Sequence, residues 1–342
     1  MNKKILSIFL ICVGILTGCA TKQPAAKQYQ ATFLDMFDTV TSIVGYAESE
    51  EEFQEKIQPI LDQLLEYHQL FDIYENYDGM NNLKTINDQA GIAPVEVDEK
   101  IIELLLDCRE FYDVTDGKVN AAMGSVLSLW HEARDDGRND PQNAKLPDED
   151  ALKGAAEHIS FEEVVIDEEK NTVFIQDSKV SLDVGAIAKG WATQKVTEQI
   201  SEGMLISVGG NVCASGPKDA EGSPWVVGIE NPDQKKDDYL HTIYVRTGCV
   251  VTSGDYQRVY VVDGKSYHHI VDPETLYPSE YWRAVTVVGE DSGVADMLST
   301  ALFLLPQEEG QRLLEEYGAE ALWVDMEENV LYSPGFKDLI RT

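Results

Sequence analysis

The chain has 342 residues, 43% of them hydrophobic, which is ordinary for a globular protein of one large or two closely packed domains. Its 27 Lys and Arg stand against 61 Asp and Glu, a formal net charge of −34, and such a surface repels nucleic acid and anionic lipid. We therefore expect no nucleic-acid partner, and an anionic ligand would need positive charge gathered locally.

The N-terminal segment has the pattern of a secretory signal peptide, because two lysines precede a short apolar run and a small-residue ending. The run is too short to cross a membrane comfortably. Its ending, LTGC, resembles a bacterial lipobox, in which the cysteine is lipidated; an ordinary signal peptide with a chance cysteine is the alternative. We predict a signal peptide over 1–18, a flexible tether over 19–31 acylated (for example with palmitate) at Cys19, and a folded domain over 32–342. The protein would then be anchored at the extracytoplasmic face of the cell membrane.

Three cysteines remain in the rest of the mature chain: Cys108, Cys213 and Cys249. Their odd number and wide spacing argue against a disulfide framework. The sequence contains no CxxC pair, so a structural zinc site is not expected. We predict that all three are core thiols.

The hydrophobic pattern mixes helices with antiparallel hairpins and has no regular βαβ rhythm, which predicts an α+β fold. In chain order we predict a strand over 33–46, helices over 51–70, 98–111 and 124–134, a hairpin over 162–176, a strand, turn and helix over 180–196, strands over 205–208, 225–229, 241–245 and 250–252, a hairpin over 258–273 that turns at 263–264, a strand over 284–288, helices over 294–305 and 307–317, and two short final strands.

The stretch VSLDVGAIAKGWATQKV places a carboxylate, a glycine and a lysine at the start of a predicted helix. Lys189 lies in the first helical turn, where positive charge is unfavourable for the helix dipole unless an anion occupies that end. Gly185 permits a sharp turn, and Asp183 could bind a polar ligand group or support a metal site. A helix-terminal carboxylate beside a solvated lysine is the plainer interpretation, and this stretch alone favours it.

Asp296 and Thr300 interrupt a strongly apolar helix and, four residues apart, lie on one helical face. A carboxylate and a hydroxyl are suitable oxygen ligands for Mg²⁺, which accepts a few protein oxygens together with substrate phosphates. An exposed carboxylate with a backbone-bonded threonine explains the local sequence equally well.

His268 and His269 are adjacent in a predicted strand, so only one of them is expected to face a given site. A histidine there could take a proton from a hydroxyl, and Asp255 could orient it or share its work. For either histidine alone, a satisfied structural role is the simpler explanation. Gly209 and Gly210 follow a strand and could admit a flat ligand, although a plain turn explains them too.

Taken together, these stretches resemble the FAD:protein FMN transferase family, the ApbE-type flavin transferases. The resemblance runs from about Phe33 to about Leu322, and its pieces occur in the family's order. The matching segments are FDTVTSI, FDIYENYDGMNNLKTIN, VNAAMGSVLSLW, DVGAIAKGWA, ISVGGNVCASG, PWVVGIENP, VTSGDYQRVY, HHIVDPET and ADMLSTALFLL.

The resemblance implies an ApbE-like α+β fold, in which mixed antiparallel sheets pack with helices in two intimately associated subdomains. It also implies a transferase that binds FAD and Mg²⁺, moves the FMN moiety onto a threonine hydroxyl of an acceptor protein, and releases AMP. The implied partners are FAD, the acceptor protein and, through the lipid, the membrane.

The resemblance also assigns roles to individual positions. His269 would be the general base, and Asp255 would support it or position the acceptor. The implied Mg²⁺ ligands are Asp296, Thr300 and the backbone oxygen of Ala186. The implied FAD-binding residues are Phe37, Tyr74, Asn120, Ala121, Ala122, Met123, Asp183, Lys189 and Ile270.

Two segments depart from the family pattern. NAAMGS replaces the family's usual Asp, Thr and Pro, and DPETLYP lacks the usual Arg and Gly, which we expect to change the backbone near the site. Neither departure touches the implied metal ligands. Two alternative functions stay open, a metal-dependent FAD pyrophosphatase and a lipoprotein that binds FAD without chemistry.

Overall fold

A computed structural model describes residues 26–201, 203–233 and 237–341. The predicted signal peptide 1–18 and the lipidation site Cys19 lie outside the described residues. The predicted tether is too long at its C-terminal end, because strand β1 begins at Lys27 and pairs with the next strand from there. The sheet therefore includes residues that the sequence pattern assigned to a flexible segment.

The strands confirm the predicted mixture of helices and antiparallel pairs. Eight of them form one antiparallel sheet in the order β1-β2-β6-β7-β10-β13-β14-β15, β3, β5 and β4 form a second, and β8–β9 and β11–β12 are hairpins. The strands are β1 Lys27–Met36, β2 Thr39–Ala47, β3 Val95–Glu96, β4 Val164–Asp167, β5 Thr172–Ile175, β6 Leu205–Val208, β7 Asn211–Ala214, β8 Trp225–Glu230, β9 Tyr239–Val245, β10 Gly248–Gly254, β11 Tyr260–Val262, β12 Lys265–Tyr267, β13 Trp282–Gly289, β14 Glu320–Asp325 and β15 Val330–Tyr332.

Six of the eight described helices follow the predicted apolar stripes, with most boundaries within a few residues of the prediction, whereas the two short helices over 83–88 and 149–156 were not predicted. Among the described residues, no helix has the length and apolar character needed to cross a bilayer. The helices are α1 Glu50–Leu70, α2 Leu83–Asp88, α3 Glu99–Val114, α4 Gly124–Asn139, α5 Glu149–Ala156, α6 Ala188–Thr197, α7 Ser292–Leu304 and α8 Gln307–Tyr317.

Two layers cover the large sheet. Helices α1, α6 and α7 pack on one face, where α7 contacts β10 and β13. On the other face, the β8–β9 hairpin packs the apolar side chains Trp225, Val227 and Ile229 against a cluster that includes Val250 and Leu322. Helices α6 and α7 also contact each other, and this contact positions the site described below.

The predicted single strand over 33–46 is wrong, because the segment is a hairpin of β1 and β2. Phe37 and Asp38 form the turn, with φ of 54° and 50°. Both lie in the left-handed region, which non-glycine residues adopt at a cost and which favours Gly or Asn. The sequence FDT carries neither, so the alternation of apolar and polar residues appeared continuous through the turn.

The predicted strand before α6 is also wrong. Only Ser181 makes a β-bridge, to Met123, and the residues between it and α6 are irregular. The turn of the β11–β12 hairpin is confirmed at Asp263 and Gly264, with φ of 50° and 81°. His268 lies after β12 rather than inside a strand.

The prediction that all three cysteines are core thiols is wrong for two of them. Cys213 and Cys249 face each other across β7 and β10 and form a disulfide, with 36 residues separating them in sequence. Both are fully buried, and Cys108 is a free buried thiol as predicted. Strands β7 and β10 both contribute to the cavity described below, so the disulfide fixes two of its supports to each other.

Replacing both bridged cysteines with alanine should lower the free energy of unfolding by about 3–4 kcal/mol, since a loop of this length restricts the unfolded chain by that amount. Urea unfolding with and without a thiol reductant measures it. We expect the reductant to destabilise the wild-type protein and to leave Cys213→Ala/Cys249→Ala unchanged. Cys108→Ala is the control, because it removes a buried sulfur without a cross-link. Equal losses in the control and the double variant would contradict the prediction.

Candidate active site

A cavity of about 540 Å³ opens where the β1–β2 turn, the loop after α1, α4, the segment before α6, and α7 converge. It brings together most of the residues that the sequence patterns and the family resemblance singled out, although they come from distant parts of the chain. Those that line it are Phe37, Tyr74, Asn120, Met123, Asp183, Ala186, Lys189, His269, Ile270, Asp296 and Thr300.

Asp296 is a buried carboxylate held at the contact between α6 and α7. Its Oδ2 accepts a hydrogen bond from the Gly190 N–H at 2.8 Å and forms an ion pair with the Lys189 Nζ at 3.3 Å. Gly190 is required here, because a Cβ at this position would lie 2.3 Å from the Ser292 carbonyl oxygen. Burial raises the pKa of the Asp296 carboxyl, and the charge of Lys189 opposes that rise.

The Ala186 carbonyl is made available by the same contact. In a regular helix the Gly190 N–H would bond to this carbonyl, four residues earlier, but it is directed at Asp296 instead. Within the described residues, no other backbone N–H outside regular helices and strands bonds to the Ala186 oxygen. A carbonyl oxygen is thereby placed in the lining of the cavity that also contains Asp296 and Thr300.

These three oxygens fit Mg²⁺, which prefers carboxylate, hydroxyl and carbonyl ligands and keeps positions for water and substrate phosphates. Among the described residues, no group of three or more His, Cys, Asp or Glu side chains is placed to hold a metal ion. The set would therefore be completed by oxygens of a bound ligand. It is unsuited to a permanently held structural metal, which would be surrounded by protein ligands.

The charges of the cavity lining do not by themselves suit a dinucleotide. Its carboxylates outnumber its cations by five to three, and two of the cations are already paired: Lys189 with Asp296, and Lys118 with Asp272 and Glu274 at 3.1 Å each. The side chains alone therefore do not gather the local positive charge that an anionic ligand would need. An anionic ligand would need an additional cation, which a divalent metal ion would supply. The carboxylates of the lining are Asp38, Asp72, Glu75, Asp183 and Asp296.

His269 lines the cavity, and no residue that the structure describes is hydrogen-bonded to its Nε2. Its Nδ1 lies 3.3 Å from the Gln257 carbonyl oxygen, and a carbonyl only accepts hydrogen bonds, so Nδ1 carries the proton and Nε2 is left as a base. Burial, assisted by the charge of Arg258, lowers the pKa of His269 to about 3. The imidazole is therefore neutral over the physiological pH range.

His268 has a structural role, as expected for one of two adjacent histidines. Its Nε2–H donates to the Ser279 carbonyl at 2.8 Å, its Nδ1 accepts from the Ile270 N–H at 3.2 Å, and its ring packs edge-on against Phe303. Its two nitrogens are satisfied by backbone groups. It therefore fixes the segment that carries His269, and it does not line the cavity.

The structure does not place Asp255 beside His269. This carboxylate lies outside the cavity lining and pairs through Oδ2 with the Arg283 Nε at 3.3 Å, while its backbone N–H donates to the Arg283 carbonyl. The two residues face each other at the ends of β10 and β13, but this pairing leaves the buried Oδ1 of Asp255 without a hydrogen-bond partner among the described residues. Its assignment as a direct support for the base is not matched by a contact with His269 in this geometry, and its alternative role, positioning the acceptor, stays a prediction.

The segment that replaces the family's Asp, Thr and Pro supports the cavity through its backbone. Ala121 and Ala122 are buried behind the lining, and the Ala121 carbonyl accepts from the Asp183 N–H at 2.8 Å. The Asn120 side chain accepts from the Ala122 N–H and donates to the Ile159 carbonyl. Ala121 thus holds Asp183 in place through its carbonyl, Ala122 is held by Asn120, and the prediction that the two alanines line the pocket is wrong for both.

The other departure lies in a turn with a left-handed residue. Leu276 in the DPETLYP segment has a φ of 64°, a conformation that favours glycine. Its carbonyl accepts the Trp130 indole N–H at 2.9 Å, which ties the turn to α4. The expectation that this departure changes the backbone near the site stays a prediction.

Several cavity residues were missed from the sequence, and three of them are polar side chains close to predicted site residues. His68, in the last turn of α1, accepts a hydrogen bond from the Phe37 N–H at its Nδ1. His131 on α4 lies 3.1 Å from the Tyr74 hydroxyl and 3.9 Å from the Asp183 carboxylate. Arg258 lies in the cavity lining just before β11. Each is an isolated polar residue in an otherwise ordinary element. Arg258 lies in a segment that matched the family, so its position was the one available signal.

Comparison with known proteins identifies the family. The ApbE family model matches residues 37–323. A relative named FAD:protein FMN transferase from Treponema pallidum is 34% identical over 277 residues, which covers 76% of this chain and 75% of that protein.

Solved structures agree in fold. The crystal structure of the ApbE protein from Thermotoga maritima superposes with a TM-score of 0.80 at 30% identity, covering 92% of this chain and 100% of that one. The flavin transferase ApbE from Vibrio cholerae superposes with a TM-score of 0.75 at 21% identity, covering 92% and 99%, and this likeness concerns the fold alone. The predicted family and its α+β fold are confirmed, and the chain belongs to the ApbE family.

Proposed function

We propose that this protein is an FAD:protein FMN transferase that moves the FMN moiety of FAD onto a threonine hydroxyl of an acceptor protein and releases AMP, with Mg²⁺ as its cofactor. One observation carries the proposal: a single cavity combines an oxygen ligand set around Asp296 with a neutral histidine, His269, whose Nε2 is free. Phosphoryl transfer from a dinucleotide to a hydroxyl needs both parts. The name of the relative from Treponema pallidum supports it.

In the proposed reaction the threonine oxygen forms a bond to the flavin-side phosphorus, and the bond from that phosphorus to the bridging oxygen breaks. AMP leaves with the bridging oxygen, and the hydroxyl proton passes to the Nε2 of His269. Asp296, Thr300 and the Ala186 carbonyl would hold Mg²⁺, which would neutralise charge on the diphosphate and on the departing AMP. The predicted contacts of Lys189, Asp183, Phe37 and Tyr74 with FAD belong to this proposal.

Mass spectrometry of an acceptor protein incubated with the enzyme, FAD and Mg²⁺ tests the proposal directly. We expect a covalent FMN adduct on threonine and one AMP for each adduct. Free FMN with AMP and no adduct would instead identify an FAD pyrophosphatase, and intact FAD would identify a binding protein. Either of these results would overturn the proposed transfer.

The proposed site of action is the extracytoplasmic face of the cell membrane, with an acyl anchor on Cys19. The buried disulfide between Cys213 and Cys249 supports an oxidising compartment, where disulfides persist. Cells grown with labelled palmitate should incorporate label into the wild-type protein and lose it in Cys19→Ser. Cys12→Ser, which lies within the proposed signal peptide, is the control and should keep the label. Label in the Cys19→Ser variant would contradict the anchor.

A further inference from the structure

Arg258 is a cation of the cavity that the proposed reaction has not used. It lies in the segment between β10 and β11, its side chain is exposed, and it lines the cavity beside Gln257 and His269. Its hydrogen-bond contact is weak, because the Nη2 lies 3.5 Å from the Phe37 carbonyl oxygen.

The two other cations of the lining are occupied. Lys189 pairs with Asp296, and Lys118 pairs with Asp272 and Glu274. Among the described residues of the lining, Arg258 is the one Lys or Arg side chain without a carboxylate partner. An unpaired guanidinium in a cavity with five carboxylates is available to an incoming anion.

Arg258 is also next to the residue that fixes the base. The Gln257 carbonyl accepts the Nδ1–H of His269, and the charge of Arg258 helps to lower the pKa of that histidine, as does the charge of Lys189. The guanidinium and the base therefore border the same part of the cavity. In the proposed reaction that part of the cavity contains the attacking hydroxyl and the phosphorus it attacks.

The backbone at Arg258 is strained. Its φ of 47° lies in the left-handed region that favours glycine. Glycine would relieve this strain, and strained residues that persist tend to lie where function requires their side chains. Within the part of the chain that the structure describes, the side chain has no ion-pair partner that would offset the strain.

We propose that the Arg258 guanidinium binds the flavin-side phosphate of the dinucleotide, the group that the acceptor hydroxyl attacks. The planar fork of a guanidinium matches phosphate oxygens and is always charged. This inference rests on the proposed function and adds to it a phosphate-binding residue beside the base. Arg258 would hold the phosphate that is transferred, whereas the oxygen ligand set holds the metal ion.

Arg258→Gly separates the two possible roles of this residue, because it removes the guanidinium and relieves the strain. We expect an unchanged or higher Tm together with weaker binding of FAD and FMN, by about 10- to 100-fold, as for one charged hydrogen-bonded pair. Riboflavin, which has no phosphate, and AMP, which has only the adenosine-side phosphate, should bind as they do to wild type. Equilibrium titrations with Mg²⁺ present measure all four.

Asn171→Gly is the matched control, since it relieves a left-handed φ of 49° in the remote β4–β5 turn. It should leave all four affinities unchanged. Equal weakening of riboflavin by Arg258→Gly would show general damage to the pocket, and unchanged FMN affinity or weakened AMP would show a different contact; each would overturn the proposal. These titrations do not depend on transfer, so a protein that binds FAD but forms no acceptor adduct would refute the proposed function and leave the role of Arg258 decided separately.

Discussion

Replacing Asp296 with asparagine is expected to lower FMN transfer about 10³-fold at saturating FAD, because the site loses the carboxylate that we propose as a Mg²⁺ ligand. A bound metal ion contributes several kcal/mol of charge stabilisation in the transition state, and about 4 kcal/mol corresponds to that factor. Asparagine has nearly the same shape, and its oxygen can still accept the Gly190 N–H. The loss should therefore come from charge rather than from a disrupted α6–α7 contact.

The measurement is AMP release as a function of Mg²⁺ concentration, together with FAD affinity with and without the metal. Asp291→Asn is the control, because the same change on the same helix lies outside the cavity, at an N-cap that asparagine also serves. We expect the metal requirement and the FAD affinity to change in Asp296→Asn alone. An unaltered Mg²⁺ dependence in that variant would contradict the assignment of this carboxylate.

Asp296→Asn should leave the folded protein at least as stable as the wild type. Burial raises the pKa of Asp296, which means that its surroundings in the metal-free protein compensate its charge incompletely. Lys189, its ion-pair partner, keeps access to solvent and can be hydrated when the carboxylate is removed. A large loss of activity without a loss in Tm would mark Asp296 as a residue retained for function.

Local patterns predicted the parts of the site that lie within one element. Asp296 and Thr300 are four residues apart, and the helical repeat alone puts both on one face, which the cavity confirms. The position of Lys189 in the first turn of a helix is confirmed too, although the anion it faces in the structure is the Asp296 carboxylate. The sequence pattern indicated a charge partner for this lysine and could not identify which one.

What the sequence could not predict depends on register and on contacts between distant segments. The disulfide requires Cys213 to stand opposite Cys249, which follows from the pairing of β7 with β10 and not from a spacing of 36 residues. The cavity histidine His131 reaches Tyr74 from a helix 57 residues away. Asp255 is the opposite case. Its sequence position beside a turn suggested a role next to the base, but its carboxylate pairs with Arg283 on the neighbouring strand β13.

His269→Gln is expected to lower the rate of transfer by about 10²–10⁴-fold, the usual contribution of a general base, while FAD affinity stays within about threefold of wild type. In the proposed mechanism its Nε2 takes the proton, and its Nδ1–H bond to Gln257 fixes the ring. Single-turnover transfer to the acceptor measures the rate, and an FAD titration measures the affinity. Transfer at the wild-type rate would remove His269 from the mechanism.

His268→Gln is the control beside it, because that ring bonds to Ser279 and packs on Phe303 within the core. It should lower Tm and leave the rate constant of the folded enzyme within a few-fold of the wild-type value.

The pH dependence of transfer gives a second test of the role of His269. In the free protein the pKa of His269 is lowered to about 3, and the phosphates of bound FAD should raise it by stabilising the imidazolium. The acid limb of kcat should therefore lie at higher pH than that of kcat/KM, and both limbs should vanish in His269→Gln, since no titrating base would remain at that position.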